Sequence, residues 1–159
     1  MVSELEEGII RLATALDSQD QIGLTRSFVS DIKAGRESVT RELLPWLTDI
    51  DRGWAGVLFI GMGGSAAGGD FVSELCNLNG AVPVKCHRDY DLPHWWTPDW
   101  LVVATSYSGN TEETLSVCEQ AMHQGATIIV ISSGGILSGM CELSDSMYLI
   151  SCPAGQPPR

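Results

Sequence analysis

Short apolar runs alternate with helix-patterned segments along this chain after about residue 55. Continuous apolar runs of this length are typical of strands that helices cover on both faces. Strands are predicted at residues 56–60, 82–87, 101–105, 127–131 and 147–150. Helices are predicted between them, at residues 65–78, 111–123 and 135–143. Because helical crossovers join parallel strands, the pattern predicts a doubly wound, flavodoxin-like α/β fold: a five-stranded parallel sheet in the order 2-1-3-4-5 with helices on both faces.

Helical spacing of apolar residues dominates the chain before the first predicted strand. Helices are predicted at residues 4–16, 24–34 and 37–47, although Pro45 weakens the third. We therefore predict an N-terminal helical segment over residues 1–52 and the α/β domain over residues 53–152. Residues 153–159, which are rich in proline and glycine, have the composition of a linker.

The charge of the chain restricts the partners that it can bind. It carries 9 Lys and Arg against 20 Asp and Glu, a formal net charge of −11 at pH 7, and the basic residues are scattered. This balance argues against nucleic acid and an anionic membrane surface as partners. No stretch approaches the roughly 18 apolar residues of a membrane span, and the acidic N-terminus lacks the features of a signal peptide. We expect a cytoplasmic protein.

The five cysteines are odd in number, widely spaced and without a C-x-x-C pair. We predict buried or half-buried thiols in a reducing compartment rather than disulfides or a zinc site. We expect no metal and no cofactor.

Two loops rich in small and hydroxyl residues follow the first and third predicted strands and open helices. The first is Gly61-Met62-Gly63-Gly64-Ser65-Ala66-Ala67-Gly68-Gly69, and the second is Ser106-Tyr107-Ser108-Gly109-Asn110-Thr111-Glu112-Glu113-Thr114. In the predicted strand order these loops flank the point where the order reverses, which is where ligands bind in open α/β sheets. Glycine backbone, serine and threonine hydroxyls and helix N-termini can surround one phosphoryl group. The loops therefore predict a phosphate site that needs no lysine.

The first loop alone permits other interpretations. The run from Gly61 to Ala66 fits the dinucleotide fingerprint Gly-x-Gly-x-x-Ala, and Asp89 falls near the end of the second strand, where a ribose-binding acid would lie. Glycine turns with only structural roles are nearly as frequent in an isolated loop. The serine-rich second loop favours phosphate binding, since a dinucleotide site does not require it. A P-loop is excluded because no Gly-Lys-Ser/Thr follows.

The two loops are similar, almost residue for residue, to the two phosphosugar loops of sugar isomerase (SIS) domains. Within that family the chain resembles most closely the N-terminal half of the bifunctional phosphoglucose/phosphomannose isomerases. Three further features carry the resemblance: the leading helices, the Arg-Asp-Tyr-Asp-Leu-Pro segment at residues 88–93, and a tail over residues 153–159 that fits Pro-x-Gly-x-x-Pro-Arg.

The resemblance implies aldose–ketose isomerisation of glucose 6-phosphate or mannose 6-phosphate to fructose 6-phosphate in a homodimer. It implies that the sugar phosphate contacts five residues of the loops: Gly64, Ser65, Ser106, Ser108 and Thr111. Arg159 matches an arginine beside the sugar, where a guanidinium can stabilise the negative charge of an enediolate. Ring opening and proton transfer between C1 and C2 also need an acid and a carboxylate base.

The resemblance places the base glutamate and the ring-opening histidine in a second SIS domain, which we expect beyond Arg159. None of five candidate residues in this chain matches a catalytic motif position for either role: Glu112, Glu113, His87, His94 and His123. We therefore expect an N-terminal phosphosugar-binding half, as a fragment or a truncated product, that binds the sugar phosphate weakly and does not turn it over.

Two other functions stay open as alternatives. A sugar-phosphate sensor of a regulator would use the same domain, usually joined to a basic helix-turn-helix segment, whereas the leading helices here are acidic or mixed. A dinucleotide-binding oxidoreductase domain is the less favoured alternative, because it rests on the first loop alone.

Overall fold

Five strands form a single parallel sheet in the order β2-β1-β3-β4-β5. The computed structural model describes residues 4–17, 20–80 and 82–154. Its strands are β1 (Val57–Ile60), β2 (Val84–His87), β3 (Leu101–Thr105), β4 (Ile128–Ser132) and β5 (Met147–Ser151). All neighbouring strands pair in parallel. The predicted flavodoxin-like α/β fold and its strand order are confirmed.

The chain divides into two compact units, residues 1–47 and residues 48–159. The first unit contains α1 (Glu4–Leu16) and α2 (Gln21–Ser38), and the short α3 (Trp46–Asp49) spans the division. Within the first unit, the Asp17 carboxylate accepts hydrogen bonds of 2.6 and 2.9 Å from the first two N–H groups of α2. Asp20, the N-cap residue, accepts a further 3.2 Å hydrogen bond from the Gly23 N–H, and these contacts explain why α2 begins earlier in the chain than the apolar spacing predicts.

The third predicted helix, at residues 37–47, is wrong. Helix α2 continues to Ser38, and the chain then runs through turns until α3 begins at Trp46. Pro45 explains the interruption, because proline has no N–H to donate and disfavours the helical conformation of Leu44 before it.

Three helices cross between the strands of the second unit. Helix α4 (Gly63–Asn79) joins β1 to β2, α5 (Glu112–His123) joins β3 to β4, and α6 (Gly135–Glu142) joins β4 to β5. In the sheet, β2 lies on one side of β1, and β3, β4 and β5 follow on the other side. Because parallel crossovers are right-handed, α4 covers one face of the sheet, and α5 and α6 cover the opposite face.

The main core lies between the sheet and the face that carries α5 and α6. Side chains of β1 alternate between the faces: Leu58 and Ile60 belong to this core, whereas Phe59 packs over Gly69 of α4. Val102 of β3 and Ile128 of β4 are completely buried in the same core. Apolar side chains on both faces therefore hold the central strands, as continuous apolar runs predict.

The cysteines are thiols at different depths of the second unit. Cys118 is buried and the other four are half-buried, so the prediction of buried or half-buried thiols is confirmed. Burial raises the pKa of the Cys118 thiol, which therefore stays protonated and unreactive at neutral pH.

The helices of the first unit carry exposed apolar side chains. On α1, Ile9, Leu12 and Leu16 are 59%, 61% and 76% exposed, and Phe28 of α2 is 55% exposed. Across residues 4–17, 20–80 and 82–154, no helix is both long and apolar enough to cross a membrane.

The loop between β3 and α5 is held by the loop between β4 and α6. The Tyr107 carbonyl accepts hydrogen bonds of 3.0 and 2.7 Å from the N–H and the hydroxyl of Ser133. The Gly109 carbonyl accepts a 3.0 Å hydrogen bond from the N–H of Leu137. Gly109 has a φ of +68°, and a Cβ at this position would overlap the carbonyl oxygen of Gly134. Only glycine fits such a close approach of two backbones.

Gly109→Ala is expected to destabilise the second unit. The substitution forces a side chain into the left-handed region, which costs about 1–2 kcal/mol by itself, and also against a backbone carbonyl that cannot rotate away. We expect the free energy of unfolding to fall by roughly 2 kcal/mol or more, as measured by urea denaturation.

Gly139→Ala in α6 is the matched control for this substitution. No heavy atom outside its own helix backbone lies within 4 Å of the Cβ position at Gly139. Alanine is favoured over glycine inside a helix by up to about 1 kcal/mol, so this variant should keep or raise the free energy of unfolding. Equal effects of the two substitutions would contradict the close approach at Gly109.

Candidate functional site

Strands β1 and β3 are neighbours, and the loops that follow them leave the same edge of the sheet. Ile60, the last residue of β1, is in register with Ala104 of β3. Gly61 follows directly and lies against the next residue of β3, since a Cβ on Gly61 would come within 2.7 Å of the Thr105 carbonyl oxygen. The two loops therefore start side by side, at the point where the strand order reverses.

The first loop leads directly into α4. Gly64 is exposed and Ser65 is half-buried in the first turn of this helix. The Ser65 N–H donates a 3.0 Å hydrogen bond to the carbonyl of Met62, the N-cap residue, whose side chain makes no capping hydrogen bond. The N–H groups of Gly63 and Gly64 belong to the first turn, which an α-helix leaves without internal acceptors. An anion can accept hydrogen bonds from such groups.

The second loop brings three hydroxyl groups to the start of α5. Ser106 is only 1% exposed, and its hydroxyl lies 2.8 Å from the hydroxyl of Thr111. Thr111 is the N-cap residue of α5, but its side chain makes no capping hydrogen bond. Ser108 is exposed, and its hydroxyl accepts a 3.2 Å hydrogen bond from the Asn110 N–H. The start of α5 therefore also offers N–H groups that its cap residue does not satisfy.

The resulting site favours an anion through dipoles rather than through cations. Five of the predicted residues lie at this edge of the sheet: Gly64, Ser65, Ser106, Ser108 and Thr111. Helix N-termini carry partial positive charge, whereas Glu112 and Glu113 add negative charge to the first turn of α5. Binding must therefore depend on direct hydrogen bonds. Contact of these residues with a ligand stays a prediction, and Arg159 lies outside the described residues.

Polar residues at the end of β4 hold the second loop in place, a role that the sequence pattern had not indicated. Besides the contacts of Ser133 given above, the Ser132 hydroxyl donates a 2.8 Å hydrogen bond to the Gly134 carbonyl. The Asn110 side chain of the second loop accepts a 3.0 Å hydrogen bond from the N–H of Ile136 in the first turn of α6. The signal was present in the sequence, because the run Ser-Ser-Gly-Gly at this strand end repeats the composition of the two predicted loops.

A shallow cleft without room for a water molecule lies beside the first loop. It is lined by Met62, by His87 at the end of β2, by Arg88 and Asp89 after it, and by Glu113 and Thr114 in the first turn of α5. Ligand pockets usually offer about 300 Å³ or more, so this cleft is not by itself a ligand pocket.

The segment after β2 is fastened to the helices on either side of this cleft. Arg88 forms an ion pair with Asp70 of α4, and this contact lowers the pKa of Asp70 and raises that of Arg88. The Gln120 side chain of α5 donates a 2.7 Å hydrogen bond to the Tyr90 carbonyl. The negative charge of Glu113 raises the pKa of the Tyr90 hydroxyl. The groups around the cleft are therefore held by α4 and α5 together.

The carboxylate that the dinucleotide alternative requires is engaged locally. Asp89 accepts a 2.7 Å hydrogen bond from the N–H of Tyr90 in the turn after β2. In the part of the chain that the structure describes, no group of three or more His, Cys, Asp or Glu side chains is placed to hold a metal ion.

No family model matches the chain. Its sequence is 44% identical over 115 residues to the bifunctional phosphoglucose/phosphomannose isomerase of Caldicellulosiruptor bescii, an alignment that covers 70% of this chain and 31% of that protein. It is 40% identical over 106 residues to the protein of the same name from Thermoplasma acidophilum, which covers 67% of this chain and 32% of that protein. The chain therefore spans about a third of the length of these relatives.

Solved structures share the fold at lower sequence identity. Tagatose-6-phosphate ketose/aldose isomerase from Escherichia coli aligns with a TM-score of 0.59 and 21% identity over 79% of this chain and 36% of that chain. The NanR protein of Vibrio vulnificus, solved in complex with ManNAc-6P, aligns with a TM-score of 0.61 and 21% identity over 92% of this chain and 58% of that chain. The resemblance carried by the two loops is confirmed: the chain is similar in sequence to the bifunctional phosphoglucose/phosphomannose isomerases and shares its fold with a ketose/aldose isomerase.

Proposed function

We propose that this chain is the phosphosugar-binding domain of an aldose–ketose isomerase that converts glucose 6-phosphate or mannose 6-phosphate into fructose 6-phosphate. The observation that carries the proposal is the pairing of two glycine- and hydroxyl-rich loops, each leading into a helix N-terminus, at the adjacent strands β1 and β3. The 44% identity with a bifunctional phosphoglucose/phosphomannose isomerase supports this choice of reaction and sugars.

In this proposal the phosphate accepts hydrogen bonds from N–H and hydroxyl groups of both loops. Gly64 offers its N–H group from the first turn of α4, and Ser65 offers its hydroxyl. Ser106, Ser108 and Thr111 offer hydroxyls before α5. Hydrogen bonds to a charged acceptor are about twice as strong as neutral ones, which suits a chain whose net charge of −11 provides no general attraction for phosphate.

Isomerisation proceeds through an enediolate, and Arg159 would stabilise its negative charge. The path of the chain after β5 supports this role, because the Pro153 carbonyl accepts a 3.1 Å hydrogen bond from the Tyr107 hydroxyl of the second loop. Pro153 therefore lies beside the second loop, six positions before Arg159 in the sequence. The base glutamate and the ring-opening histidine would come from a second SIS domain, which the matched relatives are long enough to contain.

A homodimer and a cytoplasmic location complete the proposal. The exposed apolar side chains of Ile9, Leu12 and Leu16 on α1 supply a surface that association would cover. The free cysteines support a reducing compartment, where thiols persist.

A sugar-phosphate sensor is the second candidate function. The structural likeness to NanR supports it. NanR was solved with ManNAc-6P, so this fold also occurs in a phosphosugar-bound protein that is not named an isomerase. A sensor would bind sugar phosphates through the same loops and would lack turnover even in the whole protein.

Isothermal titration of the chain with fructose 6-phosphate and glucose 6-phosphate is expected to show binding. The double substitution Ser106→Ala with Ser108→Ala removes two hydroxyls from the proposed site. Because each hydrogen bond to a charged group contributes about 1.5–3 kcal/mol, we expect the affinity to fall by roughly a hundredfold or more, so that the binding heat disappears.

The matched control for this pair is Ser144→Ala with Ser146→Ala. Ser144 and Ser146 are also two positions apart in the sequence, and their hydroxyls lie 3.1 Å from each other in the turn before β5. This turn lies at the opposite edge of the sheet from the two loops, so the variant should bind like the unchanged chain. Binding of the Ser106/Ser108 variant at unchanged affinity would contradict the site. Titration with NADH separates the dinucleotide alternative, which predicts binding where the proposal predicts none.

The chain alone is expected to form no fructose 6-phosphate from glucose 6-phosphate or mannose 6-phosphate. The proposal assigns the base and the ring-opening acid to another part of the whole protein, and proton transfer between C1 and C2 needs both. A coupled assay for fructose 6-phosphate measures the rate, with a longer protein that includes a second SIS domain as the positive control. Turnover by these 159 residues would contradict the assignment of the acid and base but not the phosphate site.

Sedimentation equilibrium is expected to give twice the chain mass of 17.1 kDa. Leu12→Lys places a charge on the exposed apolar face of α1 and should shift the equilibrium toward the monomer, because a buried unpaired charge is costly. A mass of 17.1 kDa for the unchanged chain would contradict the homodimer.

A further inference from the structure

The second loop leaves the sheet between two other connections. Strand β3 stands between β1 and β4, so the first loop lies on one side of the second loop and the turn between β4 and α6 lies on the other. In the proposed function a phosphate lies between the first and second loops. Contacts on the β4 side of the second loop can therefore decide which of its groups face the phosphate.

The carbonyl of Tyr107 points to the β4 side of the second loop. It accepts a 2.7 Å hydrogen bond from the hydroxyl of Ser133 and a 3.0 Å hydrogen bond from its N–H. No peptide bond in the described part of the chain is cis, and in a trans peptide unit the C=O and the N–H point in opposite directions. The Ser108 N–H belongs to the same peptide unit as this carbonyl. It therefore points away from Ser133, to the side of the first loop.

Both hydrogen-bond donors of Ser108 are available to a ligand. Ser108 is exposed, and within residues 4–17, 20–80 and 82–154 its N–H donates to no acceptor. Its hydroxyl oxygen accepts a 3.2 Å hydrogen bond from the Asn110 N–H, which leaves the hydroxyl hydrogen for another acceptor. Ser108 can thus donate two hydrogen bonds to one anion, provided that the peptide unit before it keeps its orientation.

We propose that Ser133 is a positioning residue for the phosphate site. Its hydroxyl holds the Tyr107 carbonyl on the β4 side, and this keeps the Ser108 N–H pointed at the phosphate. When the hydroxyl is removed, only the Ser133 N–H holds the carbonyl, and the peptide unit rotates more readily. A rotated unit presents a carbonyl oxygen to the anion instead of an N–H. The inference rests on the proposed function, since it takes the phosphate to lie at the two loops.

Ser133→Ala tests the inference, because it removes the hydroxyl and keeps the backbone N–H. The Kd of fructose 6-phosphate, measured by isothermal titration, is expected to rise roughly three- to tenfold, the contribution of one hydrogen bond. Proton–nitrogen correlation NMR follows the Ser108 N–H itself. Fructose 6-phosphate should shift this resonance downfield in the unchanged chain, and the shift should be smaller in the variant.

Two further variants separate positioning from a general loss of stability. Ser133→Thr keeps the hydroxyl and is expected to restore both the Kd and the Ser108 shift. Ser138→Ala is the matched control, because the Ser138 hydroxyl donates a 3.1 Å hydrogen bond to the carbonyl of Gly134, in the same turn, rather than to Tyr107. It should lower the free energy of unfolding about as much as Ser133→Ala does and leave the Kd unchanged.

An unchanged Kd and an unchanged Ser108 shift in Ser133→Ala would overturn the inference and leave the proposed function standing. Equal losses of affinity in Ser133→Ala and Ser138→Ala would also overturn it, because the turn would then act only through stability. The same holds if Ser133→Thr binds as weakly as Ser133→Ala, since the hydroxyl would not be the group that matters. Failure of the unchanged chain to bind fructose 6-phosphate would instead contradict the proposed function.

Discussion

The parallel register between β1 and β3 is the constraint on which the candidate site depends. It places Ile60 opposite Ala104, so both strands end at the same level and both loops leave the sheet side by side. Gly61 makes this arrangement possible, because any side chain there would approach the Thr105 carbonyl to 2.7 Å or less and push the loops apart. The reversal of strand order at this point then carries α4 and α5 to opposite faces, and their N-termini converge on one edge.

The second loop is preorganised by contacts that are mostly made by the backbone. The Tyr107 carbonyl receives two hydrogen bonds from Ser133, the Gly109 carbonyl receives one from Leu137, and Asn110 caps the start of α6. These contacts order the loop within the folded domain, so a ligand need not supply the free energy for ordering it. The turn after β4 therefore acts on the proposed site without contributing a group to it.

The acidic character of the chain and its proposed ligand are compatible because the site attracts an anion locally. Two helix N-termini and the hydroxyls of Ser106 and Thr111 act over hydrogen-bond distances, whereas the net charge of −11 is spread over the surface and screened by salt.

The sequence by itself determined the five strands, the three crossover helices and the two loops at the reversal point. Continuous apolar runs and small residues at strand ends act over a few neighbouring positions, so they can be recognised without the fold. The break at Pro45, which already weakened the third predicted helix, and the early start of α2 at its capping residues Asp17 and Asp20 are also local features of the sequence. Only the tertiary structure decided that Ser133 holds Tyr107, that Arg88 pairs with Asp70, and that the buried Thr114 hydroxyl meets no hydrogen-bond partner among the described residues. From the sequence alone, each of these residues has an ordinary local explanation. Its role in the structure cannot be recognised there, because that role depends on contacts with segments distant along the chain that only packing brings together.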